Sequence, residues 1–111
     1  MNAETGRKLI VAYIARGLAH EVASGLHERL GLDALHYSHG RGSGTMHTMT
    51  GSEMTEVDFL SVVVTEAQAE EVFAFMYEAG QIGRPGGGLI AQLPLRRAAA
   101  IGLSLPAEPA A

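Results

Sequence analysis

At 111 residues the chain has room for one domain and a single core. Hydrophobic residues make up 47% of it and charged residues only 18%, which excludes a disordered chain. The formal charge is −4, adjacent basic residues occur only as the pairs Arg7-Lys8 and Arg96-Arg97, and there are no cysteines, which argues against a nucleic-acid-binding face and rules out disulfides and thiolate metal sites. No apolar run approaches a membrane span, and residues 1–8 are polar without a signal-peptide core, so the expected protein is cytoplasmic with no membrane insertion.

Residues 8–15 form a short apolar run with β-branched side chains and Tyr13, the pattern of a buried strand. Leu18, Val22, Leu26 and Leu30 then recur every four residues, widened by Ala19 and Ala23. His20, Glu21, Ser24, His27, Glu28 and Arg29 fall mostly off that stripe, so the segment is an amphipathic helix ending at Gly31. Residues 34–40 read as a weakly hydrophobic second strand, and residues 41–56 as a loop without sustained period. Residues 57–64 have a strong strand pattern. Thr65 and Gln68 then match a capping box. Val72, Phe73, Met76 and Tyr77 make the expected buried stripe of the second helix. Residues 89–95 are a fourth strand, and residues 103–111 a flexible tail.

The order is βαββαβ, read as a ferredoxin-like α+β sandwich with two helices on one face of a four-stranded antiparallel sheet. Ile, Val and Leu occupy both parities of the first and third strands. Both sheet faces are therefore expected to be buried, the second one in an oligomer.

Between the second helix and the fourth strand lies Gly80-Gln81-Ile82-Gly83-Arg84-Pro85-Gly86-Gly87-Gly88, with five glycines in nine residues. Glycine admits φ > 0 and lets main-chain N–H groups face an anion, and Arg84 adds a charge with phosphate geometry. Two readings stand on composition alone: a phosphate or nucleotide loop, or a tight αβ connection. Pro85 rigidifies the segment under either one.

This order, a long loop between strands two and three, and a Gly-rich loop before strand four together resemble the PII signalling superfamily. The resemblance covers about residues 8–102. Residues 79–88 look like the family's B-loop, written Gln-Thr-Gly-Lys-Ile-Gly-Asp-Gly-Lys in typical members. Gly83, Arg84, Gly86 and Gly88 fall on its Gly, Lys, Gly and Gly. Gly40-Arg41-Gly42 falls on the Gly-Phe-Gly at the base of the T-loop, here about residues 41–56. Asp58-Phe59-Leu60 starts strand three much as in typical members.

The resemblance implies a homotrimer, with adenine nucleotide bound in three clefts between one subunit's B-loop and a neighbour's T-loop base. The implied nucleotide-binding residues are Gly40, Arg41, Gly42, Ile82, Gly83, Arg84, Pro85, Gly86, Gly87, Gly88 and Leu89. Ile82 and Leu89 are the candidates for gripping adenine. The T-loop would then act on a protein target, a membrane transporter or an enzyme. Such proteins are sensors, and no catalytic residue or catalytic cofactor is expected.

The departures refine that expectation. Leu89 stands where typical members carry a phosphate-binding Lys, and their downstream arginines align with Ala100 and Gly102. Ser43-Gly44 replaces an Arg-Gln pair, which removes the Gln linked to 2-oxoglutarate and magnesium. No tyrosine lies in residues 41–56 to be uridylylated. Each lost charged hydrogen bond weakens triphosphate binding by about 1.5–3 kcal/mol. ADP or AMP is therefore expected over ATP, with Arg96 and Arg97 as partial replacements for the missing charges. The shortened set fits PII-like proteins that sense bicarbonate beside transporters or carboxysomes, the anion lying near Arg41 or Arg84. The alternative is a Cu(I) or Ag(I) sensor, like the related CutA family, using Met46, His47, Met49 and Met54, with His36 and His39 upstream. Those methionines suit an adaptable protein contact better than a metal. For catalysis, Glu70-Glu71 occupy adjacent helical positions and face apart.

Overall fold

The computed structural model describes residues 5–32, 35–42 and 55–97. Its elements in chain order are β1 (Arg7–Ala15), α1 (Ala19–Leu30), β2 (Leu35–Gly42), β3 (Thr55–Thr65), α2 (Glu66–Ala79) and β4 (Gly88–Leu95). The strands form one sheet in the order β2-β3-β1-β4, with every neighbouring pair antiparallel. This is the ferredoxin-like α+β sandwich expected from the sequence.

Alternation along the two central strands creates the core. Ile10, Ala12 and Ile14 of β1 and Leu60, Val62 and Val64 of β3 share one face and are buried. Ala19, Val22, Ala23 and Leu26 of α1 and Ala69, Val72 and Met76 of α2 cover them. Fully burying each large aliphatic side chain contributes about 1.5–3 kcal/mol, so this layer dominates stability. The expected stripe of α2 is corrected in part. Val72 and Met76 are buried, Phe73 is only half-buried, and Tyr77 is exposed on the loop side.

The opposite face of the sheet carries Leu9, Val11 and Tyr13 of β1, Phe59 and Val63 of β3, and Leu89, Ala91 and Leu93 of β4. Tyr13 and Phe59 meet edge to face, with ring centroids 5.2 Å apart. Among the described residues no helix covers this face, and Tyr13, Leu89 and Leu93 remain more than 40% exposed. The second apolar parity of β1 and β3 therefore points into an open surface.

Helix ends follow local chemistry. Thr65 and Gln68 form the predicted capping box at the start of α2: the Thr65 hydroxyl accepts from the Gln68 amide at 3.1 Å, and Gln68 Oε1 accepts from the Thr65 amide at 3.2 Å. At the end of α1, Gly31 takes the left-handed conformation with φ 68°, and its N–H returns to the His27 carbonyl. No described helix is long and apolar enough to cross a membrane.

Element ends differ from the sequence reading where tertiary pairing extends a strand. Arg41 and Gly42 continue β2, and Thr55 and Glu56 begin β3, because Arg41 pairs with Glu56 and Gly42 with Thr55. The expected loop of residues 41–56 is therefore shorter by two residues at each end. Residues 43–54 between these rungs, and the tail from residue 98 onward, lie outside the described residues.

Candidate functional site

The Gly-rich segment is two successive turns built on the end of α2. The first closes the helix. Gln81 has φ 55°, its N–H bonds to the Glu78 carbonyl, and the Ile82 N–H bonds to the Tyr77 carbonyl at 3.1 Å. This pair of bonds is a Schellman motif with Gln81, rather than a glycine, in the left-handed position. The motif drives Ile82 inward against the core beside Ile14.

The second turn spans Arg84, Pro85, Gly86 and Gly87. The Gly87 N–H bonds to the Arg84 carbonyl at 2.9 Å, and Gly86 has φ 73°. Proline second and a positive-φ glycine third is the signature of a type II turn. Gly87 is buried against the first turn, where an added Cβ would lie 2.3 Å from the Gln81 carbonyl oxygen and 2.6 Å from that of Ile82. The loop is thus tightly folded, with Pro85 fixing one φ and no room for a side chain at Gly87. The Gly87 amide is spent inside it, while the Arg84 side chain is exposed at its rim. An added Cβ at Gly83 would lie 2.5 Å from the hydroxyl of Tyr77, the tip of an exposed side chain that can swing aside.

The second candidate stretch, Gly40-Arg41-Gly42, is the last part of β2 and lies at the same end of the sheet. Gly40 pairs with Val57, Val57 with Ala15, and β4 starts beside Ile14. Beneath this end sits Asp58 of β3, a fully buried carboxylate. Its Oδ2 accepts from the Gly17 amide at 2.9 Å and from the Ala19 amide at 3.0 Å. Its Oδ1 is bonded to His39 Nδ1. Burial pushes the Asp58 carboxyl up. The hydrogen bonds from Ala19, His39 and Gly17, with the charge of His39, outweigh that and hold it below the usual carboxylate value.

The sequence reading placed Asp58 at the start of the third strand but missed its role as a cap. It caps α1 from another strand, where Leu18 at the N-cap position makes no side-chain cap bond. The available signal was that α1 starts without Ser, Thr, Asp or Asn beside it. A second tie joins the same region: Arg16, just after β1, pairs with Glu56 at the start of β3.

Several expected sets are not brought together within one chain. The loop at residues 80–88 and the Gly40–Gly42 stretch sit on opposite sheet edges. Three strand spacings of roughly 4.8 Å put them about 14 Å apart. Ile82 points into the helix side while Leu89 stands on the open face beside Tyr13, so the two cannot clasp one base from a single protomer. Arg96 and Arg97 follow Leu95, which pairs with Arg7 at the far end of β1. They stand about a strand length, roughly 24 Å, from the loop of the same chain, so within one chain they do not reach it. His36 pairs with Ser61 on the open face and His39 with Asp58 on the helix side, which rules out a shared ligand set for these two. Met46, His47, Met49 and Met54, like Ser43, Gly44, Ala100 and Gly102, lie outside the described residues. No cluster of three His, Asp or Glu suited to a metal occurs among the described residues. Two open grooves elsewhere, one lined by His20, His27 and Tyr37 and one by Lys8, Glu66 and Phe73, are not lined by the loop.

No family model matches the sequence, and no curated protein is significantly similar to it. Solved structures do match. Over 84% of this chain and 80% of the other, the structure superposes on Arabidopsis thaliana PII bound to citrate, with a TM-score of 0.66 and 22% sequence identity. The chain has the PII fold. Within that fold, the segment at residues 80–88 takes the place between α2 and β4, and the Gly40–Gly42 stretch leads into the connection between β2 and β3. Citrate belongs to the plant protein's structure; at this identity the likeness establishes architecture.

Proposed function

We propose that this chain is a PII-like signalling protein. It binds an adenine nucleotide, ADP or AMP in preference to ATP, in clefts between the subunits of a homotrimer. Its output is regulation of a protein partner, an inorganic-carbon transporter being the favoured class, through the connection between β2 and β3. The role is sensing, without catalysis.

One observation carries the reading. The loop with exposed Arg84 and the Gly40–Gly42 stretch share one end of the sheet but lie on opposite edges, which supports a cleft that a neighbouring copy completes. Arg84 offers a fork of donors to phosphate oxygens. Leu89 adds none, which supports a preference for fewer phosphates. Bicarbonate fits as a co-ligand near Arg41 or Arg84, where a shortened cation set leaves space for a small anion.

The test is isothermal titration of the purified protein with ADP, AMP, ATP, cyclic AMP and S-adenosylmethionine, each with and without bicarbonate. Micromolar binding of ADP or AMP is expected, tighter than ATP and altered by bicarbonate. Arg84→Ala is expected to weaken it at least tenfold, about 1.4 kcal/mol, as for loss of a charged hydrogen bond. Unchanged affinity in that variant would reject the loop as the phosphate site. An affinity indifferent to bicarbonate would remove the inorganic-carbon assignment and leave the nucleotide site standing.

A further inference from the structure

We infer that the His39–Asp58 pair is a proton-operated latch on the end of β2. His39 is the first of four rungs, His39↔Asp58, Gly40↔Val57, Arg41↔Glu56 and Gly42↔Thr55, that end the β2–β3 ladder. Its ring is 61% exposed and takes protons from solvent, while the carboxylate it holds is 1% exposed and fixed by two amides at the start of α1. The latch therefore ties a strand end to a helix N-terminus, beside the His20–Tyr37 contact that joins the same two elements.

Asp58 stays ionised through the neutral range because its pKa is lowered. A neutral ring donates one hydrogen bond to the carboxylate. A protonated ring adds an ion pair to the same contact, and charge-assisted bonds are about twice as strong as neutral ones. The other ionisable groups at this end are accounted for. Arg16, following β1, is paired with Glu56 of β3. His20 of α1 is bonded to the Tyr37 hydroxyl of β2 at 3.1 Å, and Glu21 lies in the first turn of α1. Arg41 stands two residues beyond His39 on β2. Among these, His20 is the other histidine, which makes it the necessary control.

The latch stands independently of nucleotide binding. Where the nucleotide reading holds, pH sets how firmly the Gly40–Gly42 stretch is presented. The experiment is amide hydrogen exchange by NMR on the nucleotide-free full chain at pH 5.5 and 7.5, each rate normalised to its intrinsic value. Protection of the amides in residues 39–42 and 55–58 is expected to be about threefold higher at pH 5.5, the size of a partly exposed ion pair. His39→Gln removes that dependence and His20→Gln keeps it. The Gly17 and Ala19 amide shifts in the unmodified protein should follow the His39 ring titration, since all three donate to one carboxylate. Equal protection at both pH values, persistence of the dependence in His39→Gln, or amide shifts that ignore the His39 titration would each overturn the latch.

Discussion

Asp58 shows how one residue joins three elements. A helix start leaves amides without intrahelical partners, and the segment entering α1 supplies no capping side chain of its own. Asp58 provides that cap from β3, about forty residues away in sequence. Replacing it with alanine leaves the Gly17 and Ala19 amides unsatisfied, so Asp58→Ala is expected to lose about 2–3 kcal/mol at pH 7. The pH dependence has a fixed sign. The folded pKa is depressed, so the stabilisation is fully present above the unfolded value of about 3.9. It is lost as pH falls through the lower folded value. Urea unfolding should therefore show a wide gap between the two proteins at pH 7 that narrows progressively below pH ~4. A gap that held constant into acid would mean that Asp58 acts through shape alone.

At the scale of elements, what the sequence disclosed depends on how local each cause is. The strands β1 and β3 were legible as short apolar runs rich in β-branched residues, and the α1 stripe because burial imposes a period of 3.6 on neighbouring residues. The Thr65–Gln68 box was legible because its partners are three residues apart. The ends of β2 and β3 were not, since Arg41, Gly42, Thr55 and Glu56 become strand only by pairing with one another across the sheet. The α1 cap was hidden for the same reason. The glycine loop was half legible: its composition marked a turn, while the left-handed residue proved to be Gln81, which glycine counting passes over. The glycines divide the work between conformation at Gly86 and space at Gly87. Gly87→Ala would place a Cβ against three carbonyl oxygens of the loop, the farthest 2.8 Å away. Backbone oxygens cannot swing aside as side-chain tips do. The substitution should cost about 2–3 kcal/mol and weaken nucleotide binding more than the melting temperature alone explains. Calorimetry beside titration separates the two. An unshifted melting point would mean that the loop tolerates opening.

The whole molecule presents an apolar sheet face and two sheet edges that a single chain leaves without partners among the described residues. Uncovered edges and apolar patches of this kind invite association, and a stable protein hides them. The candidate site adds a direction. Its two halves occupy opposite edges at one end, so joining them edge to edge is a head-to-tail contact, which closes only as a ring. In the proposed trimer the three open faces turn toward a common axis, with Tyr13, Phe59, Leu89 and Leu93 inside. Leu93 sits across from Leu9 and is 45% exposed in one chain. A charge there is tolerable to the protomer, whose core lies on the other face. Inside the ring it would meet its two symmetry copies without counter-ions, at a cost of several kcal/mol. Sedimentation equilibrium of the unmodified protein is expected to give three times the 11.7 kDa protomer mass. Leu93→Glu should give monomers with unchanged far-UV circular dichroism, and nucleotide binding should disappear with the trimer because half of each cleft departs with the neighbour. A monomer that still bound ADP at full affinity would place the whole site within one chain and remove the reason for the ring.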